Sequence, residues 1–470
     1  MCRGDDVTCP QFETHHKAFL ADLAAERQAF LKSRFVTSGQ ADDLLGGGAT
    51  GPRQPVSGRR HHLAVNAETV HWGYFSRLLK PQLEIDSGDI VTIETLLTSQ
   101  SNTDAERMIA RDPRAESIFA WTREYKAIDR RGAGPMDAPN GAGAGFGVHI
   151  CTGPVLVRGA EPGDVLEVRI LEVTPRPCAN PAYAGKTFGA NIAGWWGFHY
   201  NDLITGQTPR EVVTIYEVDA TGGRDWAEAV YSYAYTPQID PYGVAHPTCD
   251  YPGVIVDPGT VTKNHGVLKG IRVPIRPHFG VMAVAPAEAD MVTTIPPSHF
   301  GGNIDNWRIG KGAIMYYPVG VEGALFSVGD PHASQGDSEL CGTAIECSLT
   351  GTFQFVLHKS RDLPGTMLAE LDYPLLETKT EWLMCGFSYP NYLTALGPDA
   401  QRQVAGKASL DLAMRDAFRK ARAFLMNAKG LSEDEAISLI SVACDFGVTQ
   451  VVDANWGVHA VIRKEMFVGG

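Results

Sequence analysis

No stretch of about eighteen uninterrupted apolar residues occurs in this chain, so no membrane-spanning helix is expected. Basic runs are missing too. The 41 Lys and Arg stand against 54 Asp and Glu, for a net charge of −13. Nothing here would neutralise a phosphate backbone, which argues against a nucleic-acid partner. The nine cysteines include no C-x-x-C pair and read as reduced, mostly buried thiols of a cytoplasmic enzyme. Cys2 and Cys9 are close enough in sequence to bridge in an oxidising compartment. The opening M-C-R-G-D-D-V-T-C lacks the apolar centre of a signal peptide. The expected location is therefore cytoplasmic, with export after removal of a leader as the alternative.

Turn formers are abundant. With 50 Gly and 29 Pro in 470 residues, few long helices are expected. One is predicted over residues 11–35, where Phe12, Phe19, Leu20, Leu23, Phe30 and Leu31 recur at helical spacing. The Gly/Pro-rich stretch 46–58 follows as a linker, so residues 1–60 read as an N-terminal extension. From His61 the period changes to that of strands. L-E-I-D-S-G-D-I-V-T-I-E-T-L (83–96) and V-L-V-R-G-A-E-P-G-D-V-L-E-V-R-I-L-E-V (155–173) each alternate on both sides of a turn, the signature of a hairpin. Further strands are predicted at 212–218, 270–274, 280–285, 313–318, 344–350 and 353–358. Short, evenly spaced strands make a mainly β protein, with a β-sandwich or jelly-roll-like body. Two β-rich lobes are expected, 61–210 and 211–365. The C-terminal region, 366–470, is expected to be α+β and packed on the body. Its helices are predicted at 409–426 and 433–444, with Ser432 as N-cap, and its strands near 448–452 and 458–462. The K-T at 186–187 lacks the glycine spacing of a phosphate-binding loop.

Chemistry concentrates between His299 and Glu346. Within it, N-x-D (Asn303, Asp305) and D-x-H (Asp330, His332) each set two polar groups two residues apart, on one face of a strand. His and carboxylate ligands together suit zinc or a similar divalent ion, which would polarise a carbonyl or activate water. His71 in V-H-W-G and His149 in V-H-I-C-T-G-P stand at strand edges and are candidates to complete the metal set. Asp337, Glu339 and Glu346 are candidate proton carriers, Glu339 foremost, and Gln335 is suited to orienting an amide or a water. Cys341 is a rival nucleophile, although neighbouring carboxylates would raise its pKa. Asn303, Gly302 and Trp195 are candidate substrate contacts. The bland alternative is that Asp and His beside Gly serve only as turn residues and loop caps.

These residues also carry a resemblance. G-G-N-I-D (301–305) followed by L-F-S-V-G-D-P-H-A-S-Q-G-D-S-E-L-C-G-T-A-I-E (325–346) resembles the signature of the acetamidase/formamidase family. T-G-P-V-L-V-R-G-A-E-P-G-D-V-L (152–166) and V-T-Q-V-V-D (448–453) resemble the same family, and the likeness runs from about His61 to Phe467. It implies hydrolysis of a short aliphatic amide, such as formamide or acetamide, to a carboxylate and ammonia. It also implies a β-rich fold, metal dependence in at least some members, and a homo-oligomer. The motif positions matched are Asn303, Asp305, Asp330, His332, Gln335, Asp337 and Glu339. Ser338 and Pro331 depart from it, each standing where Gly is usual, and the Trp-rich 190s have the look of a lineage-specific loop. The rival functions are a Cys-nucleophile amidase and a protein that binds a small amide without cleaving it.

Overall fold

Two β-sheets dominate the computed structural model, which describes residues 58–123, 126–128, 148–200, 202–205, 210–249 and 253–468. The helix predicted at 11–35, nearly all of the 46–58 linker and the Cys2–Cys9 pair lie outside the described residues. One sheet has nine strands, ordered Arg60–Leu63, Ile90–Glu94, Leu349–His358, Val165–Pro175, Ile314–Pro318, Leu375–Glu377, Glu381–Phe387, Gly457–Arg463 and Asp445–Gln450. The other has eleven. Its main path runs Val273–Pro274, Trp226–Ala234, Val212–Asp219, Lys186–Ala193, Ile345–Cys347, Phe326–Ser334, His278–Ala283 and Gly301–Asn303. Ile150–Val157 joins this sheet beside Phe326–Ser334 and brings in Val70–Trp72 and Leu83–Ile85. Each sheet takes strands from both the 61–210 and the 211–365 segments.

The sheets pack face to face. Phe353 and Phe355 of the first meet Phe279 and Phe326 of the second, with ring centroids 5.1–6.2 Å apart. Val91, Ile93, Val155, Val168, Val281 and Val328 extend the same core. These positions are the inward half of the alternating pattern, so the β-sandwich is what the period-2 signal should produce. The mainly β fold with helices near the C-terminus is as expected.

Both predicted hairpins are corrected. Leu83–Ile85 pairs in parallel with Ile150–Val157 in one sheet, whereas Ile90–Glu94 pairs with Leu349–His358 in the other. Ile150–Val157 and Val165–Pro175 are likewise in different sheets. D-S-G-D and E-P-G-D are therefore corners that carry the chain across the sandwich. Alternation reports that each flanking strand buries one face. It does not report which edge that strand pairs with, and Ile85 and Val91 bury against the common core from opposite layers.

At the C-terminal end, Leu410–Lys429 is capped by Ser409 and stops at Gly430, whose φ of +66° an L side chain seldom adopts. Ser432 and Glu435 then form a reciprocal capping box that starts Glu433–Ala443. The longer helix packs on Glu381–Phe387 through Ala413, Ala417 and Ala421. Among the described residues, no helix is long and apolar enough to cross a membrane.

Candidate active site

Phe326–Ser334 is the strand on which the site is built. All nine of its residues are buried, with His278–Ala283 on one edge and Ile150–Val157 then Ile345–Cys347 on the other. The register sets His278, His332 and Glu346 side by side on three neighbouring strands. It also puts Gly280 across from Asp330, between the pairs Phe279–Pro331 and Val281–Gly329.

His332 is the hub. Its Nε2 lies 3.2 Å from Asp330 Oδ2 and 3.2 Å from Glu346 Oε1, and its Nδ1 lies 3.8 Å from Asp305 Oδ1. On the far side Nδ1 faces Gln335 Oε1 at 3.2 Å and His278 Nε2 at 3.1 Å. Gln335 is fixed at both ends, because its Nε2 donates to Asp305 O at 2.6 Å and its Oε1 lies 2.9 Å from His278 Nε2. His149 approaches from the adjacent strand, with Nε2 at 3.9 Å from Asp330 and Nδ1 at 2.8 Å from Thr294 Oγ1.

Two further carboxylates come from loops. Glu339 follows the central strand on a turn where Ser338 and Glu339 have φ of +83° and +49°. That explains why Gly suits position 338. The turn is tied to the last hairpin, since Ser338 N–H donates to Thr449 O at 2.9 Å and Val451 N–H to Ser338 O at 3.2 Å. The same hairpin turn carries Asp453, which is buried and within hydrogen-bonding reach of Asp305. Asp330 and Glu346 are also within reach of one another. Carboxylates approach like this only when they share a proton or a cation lies between them.

The electrostatics follow from crowding. Burial, and then Asp330, push Glu346 up to about 8. Burial together with Asp305 and Asp453 raises Glu339 well above the usual carboxyl range. Asp453 rises through burial and Asp305, and Asp305 through burial and Asp330. Burial would raise Asp330 as well, but His332 and His149 outweigh it and hold it down. His332 itself is pushed up by Glu346 and Asp330 against the effect of burial.

The donors fit a divalent ion. Asp305, His332 and Glu339 form one group whose ligand atoms all lie within 4.8 Å of one another, and Asp330, His332 and Glu346 form a second. Despite this closeness, His332 Nε2, Asp305 Oδ1, Glu346 Oε2 and Asp453 Oδ2 are buried and lack a well-directed hydrogen-bond partner among the described residues. Buried polar atoms left in that state are costly unless an ion or proton completes them. Imidazole and carboxylate donors suit zinc or a comparable divalent ion. Gly280 makes the space, because a Cβ there would fall 2.2 Å from Asp305 Oδ1 and 2.5 Å from Asp330 Oδ2. Gly280→Ala is therefore expected to displace both carboxylates, lower stability by about 1–3 kcal/mol, and weaken divalent-ion binding. Thermal unfolding and metal analysis of the purified variant check this.

Several candidates stand elsewhere. His71 is buried and its Nε2 lies 2.9 Å from Ser327 Oγ, in the strand next to His149. Asp337 points outward to Trp307 Nε1 at 2.9 Å and to Arg308 at 3.5 Å. Cys341 Sγ accepts from Asn191 Nδ2 at 3.2 Å. Trp195 is exposed on the 194–200 segment. Asn303 is buried with Oδ1 unpartnered among the described residues, and Gly302 beside it has φ of +95°. His278, Gly280 and Asp453 were not singled out as site residues. Asp453 does close the V-T-Q-V-V-D segment, which was legible as part of the resemblance.

Fold and site together define a β-sandwich protein with a buried His–carboxylate centre able to hold a divalent ion. The pattern of the Acetamidase/Formamidase family matches residues 146–293 and 287–468, and the chain belongs to that family. It is 32% identical over 218 residues to an acetamidase from Mycolicibacterium smegmatis, covering 42% of this chain and 50% of that protein. It is 31% identical over 219 residues to a formamidase from Methylophilus methylotrophus, covering 42% and 49%. The chain thus spans about half the length of the curated relatives it matches. The fold is similar to that of a solved acetamidase from Yersinia enterocolitica, with a TM-score of 0.58 at 22% identity over 88% of this chain and 94% of that one. An acetamidase from Bacillus halodurans gives a TM-score of 0.55 at 20% identity, covering 86% and 98%.

Proposed function

We propose that this chain hydrolyses the C–N bond of a short aliphatic primary amide, giving a carboxylate and ammonia. The observation that carries the proposal is a buried group able to hold a cation, Asp330, His332 and Glu346, beside a buried carboxyl, Glu339, whose affinity for a proton is raised by burial and by Asp305 and Asp453. Family membership and the names of the relatives support the same reading.

Asp305, Asp330, His332 and Glu346 would hold the divalent ion, zinc being the best match to the donors, with His149 behind Asp330. When bound, such an ion supplies Lewis-acid assistance to attack on a carbonyl. The proton transfers fall to the chain. Glu339, in its carboxylate form, accepts a proton as water oxygen bonds to the amide carbon, then delivers it to the nitrogen as the C–N bond breaks. Without that delivery the nitrogen would leave as an amide anion, a very poor leaving group. Gln335 and His278 keep the His332 ring in place. The unpartnered Asn303 Oδ1 is suited to accept from the substrate's NH2.

The test is ammonia release from formamide, acetamide and propionamide, with and without a chelator, alongside metal analysis. Release that a chelator abolishes and zinc restores supports the proposal; binding without release would make the chain an amide-binding protein. The rival thiol mechanism is weakened by the site's layout. Cys341 is engaged by Asn191 and Thr343, and no ion pair or hydrogen bond joins it to His332 or Glu339 among the described residues. Loss of a true nucleophile costs about 10⁶-fold, so Cys341→Ser is expected to turn over much like the parent. A collapse of activity in that variant would reinstate the thiol.

A further inference from the structure

An aromatic segment crosses the two loops that deliver Glu339 and Asp453, and amide hydrolysis as described makes no use of it. Residues 194–200 read G-W-W-G-F-H-Y. Gly194 N–H donates to Cys341 O at 3.1 Å and Phe198 N–H to Leu340 O at 2.9 Å, directly after Glu339. The Phe198 ring meets Trp456 edge-on at 5.9 Å, three residues beyond Asp453. Trp196 is the anchor. Its Nε1 donates to Gly342 O at 2.8 Å, and its indole sits so close to Gly342 that a Cβ there would fall 2.6 Å from Nε1.

The backbone bonds and Trp196 hold the segment in place. The apolar groups around it are held out to water: Trp195 is 44% exposed, Phe198 43% and its neighbour Leu340 53%. Scattered exposed apolar residues need no explanation, but several on one firmly bonded segment at the edge of a polar centre mark a ligand-binding surface. The cost of exposing them is recovered when an apolar part of a ligand covers them.

We propose that Trp195, Phe198 and Leu340 form an acyl-recognition rim, selecting primary amides whose acyl chain is apolar and longer than acetyl. The inference rests on the amide-hydrolysis reading. A primary amide commits its carbonyl and NH2 to the buried centre, so only the acyl chain remains to extend past Glu339 towards Leu340. Formamide has nothing to place there and acetamide only a methyl group.

The experiment compares kcat/KM for acetamide, butyramide and hexanamide, measured as ammonia release, in the parent, Trp195→Ala, Phe198→Ala and Leu340→Ser. Burying a methylene is worth about fourfold in a closed pocket, and about twofold on a half-open rim. The parent is expected to favour hexanamide over acetamide by at least about tenfold. That ratio should fall towards one in the three variants and survive in Phe198→Tyr, which keeps the ring. Circular dichroism and unfolding temperature separate a lost rim from a lost fold. Ammonia release with a flat or falling series in the parent, or a ratio the variants leave untouched, overturns the rim alone. A change in solution mass with an unchanged ratio overturns it in favour of a contact between copies of this chain. No release from any amide overturns the hydrolytic reading and the rim together.

Discussion

His332→Ala is expected to strip the site of its divalent ion and to cost at least about 10²-fold in ion affinity, more than loss of an outer hydrogen-bonding partner does. The reason is geometric. His332 belongs to both candidate ion-holding groups, and its Nε2 stands 3.2 Å from both Asp330 and Glu346. When protonated it is also a positive charge within 4 Å of three buried carboxyls, Asp305, Asp330 and Glu346. Removing one partner of a buried ion pair typically costs about 3–5 kcal/mol, because the other charge is left without compensation. The variant should therefore combine lost ion binding, lost turnover and a lower unfolding temperature. Metal analysis, ammonia release and calorimetry read the three separately. Retained ion with unchanged stability would show that His332 is not the hub.

Glu339→Gln is expected to behave differently. The amide keeps the shape of the carboxyl and, although Glu339 belongs to one candidate group, leaves the other, Asp330, His332 and Glu346, intact, so the fold and an ion held there should persist. Turnover should fall by roughly 10²–10⁴-fold, the usual contribution of a positioned acid–base group. Stability should hold or rise, since a carboxyl raised by burial and by Asp305 and Asp453 opposes ionisation in the folded state. For such a group, folding loses stability as pH rises from the ordinary carboxyl range towards its raised value, and the neutral amide removes that loss. Single-turnover ammonia release, with metal content measured on the same sample, is decisive. Parent-like turnover would remove Glu339 from the mechanism and shift the proton transfers to Glu346.

Much of this centre was legible before any coordinates. The interval from His299 to Glu346 contains Asp305, Asp330, His332, Gln335, Glu339 and Glu346, all buried together. The D-x-H pair does converge, with His332 Nε2 3.2 Å from Asp330 Oδ2, although not by pleat alternation alone. Pleat geometry would aim residues two apart at one point, yet Asp305 and Asp330 have φ of +51° and +50°. Left-handed backbone at both positions accompanies their inward-facing carboxylates. Asp337 escaped because its neighbour Ser338 reverses the chain and leaves it with Trp307 and Arg308 at the surface. The site roles of Asp453, visible in the sequence only as the end of V-T-Q-V-V-D, and of Gly280 were hidden for a different reason. One arrives through a bridge between Ser338 and Gln450, the other matters for a side chain it lacks, and neither leaves a local periodic signal. Strand positions were readable for the same reason that pairing was not: period reports burial, and partners are chosen over long distance.

The two corners have a consequence for how the chain acquires its shape. Because D-S-G-D and E-P-G-D send consecutive strands into opposite sheets, neither layer can be completed from neighbouring sequence. Folding is dominated by distant pairings, whose entropic cost precedes their reward, and such topologies fold slowly. The polar centre draws on residues from His149 to Asp453, so it is complete only when the last hairpin is docked. The full crowding of its carboxylates is thus met only in the assembled sandwich and in no contiguous fragment of the chain.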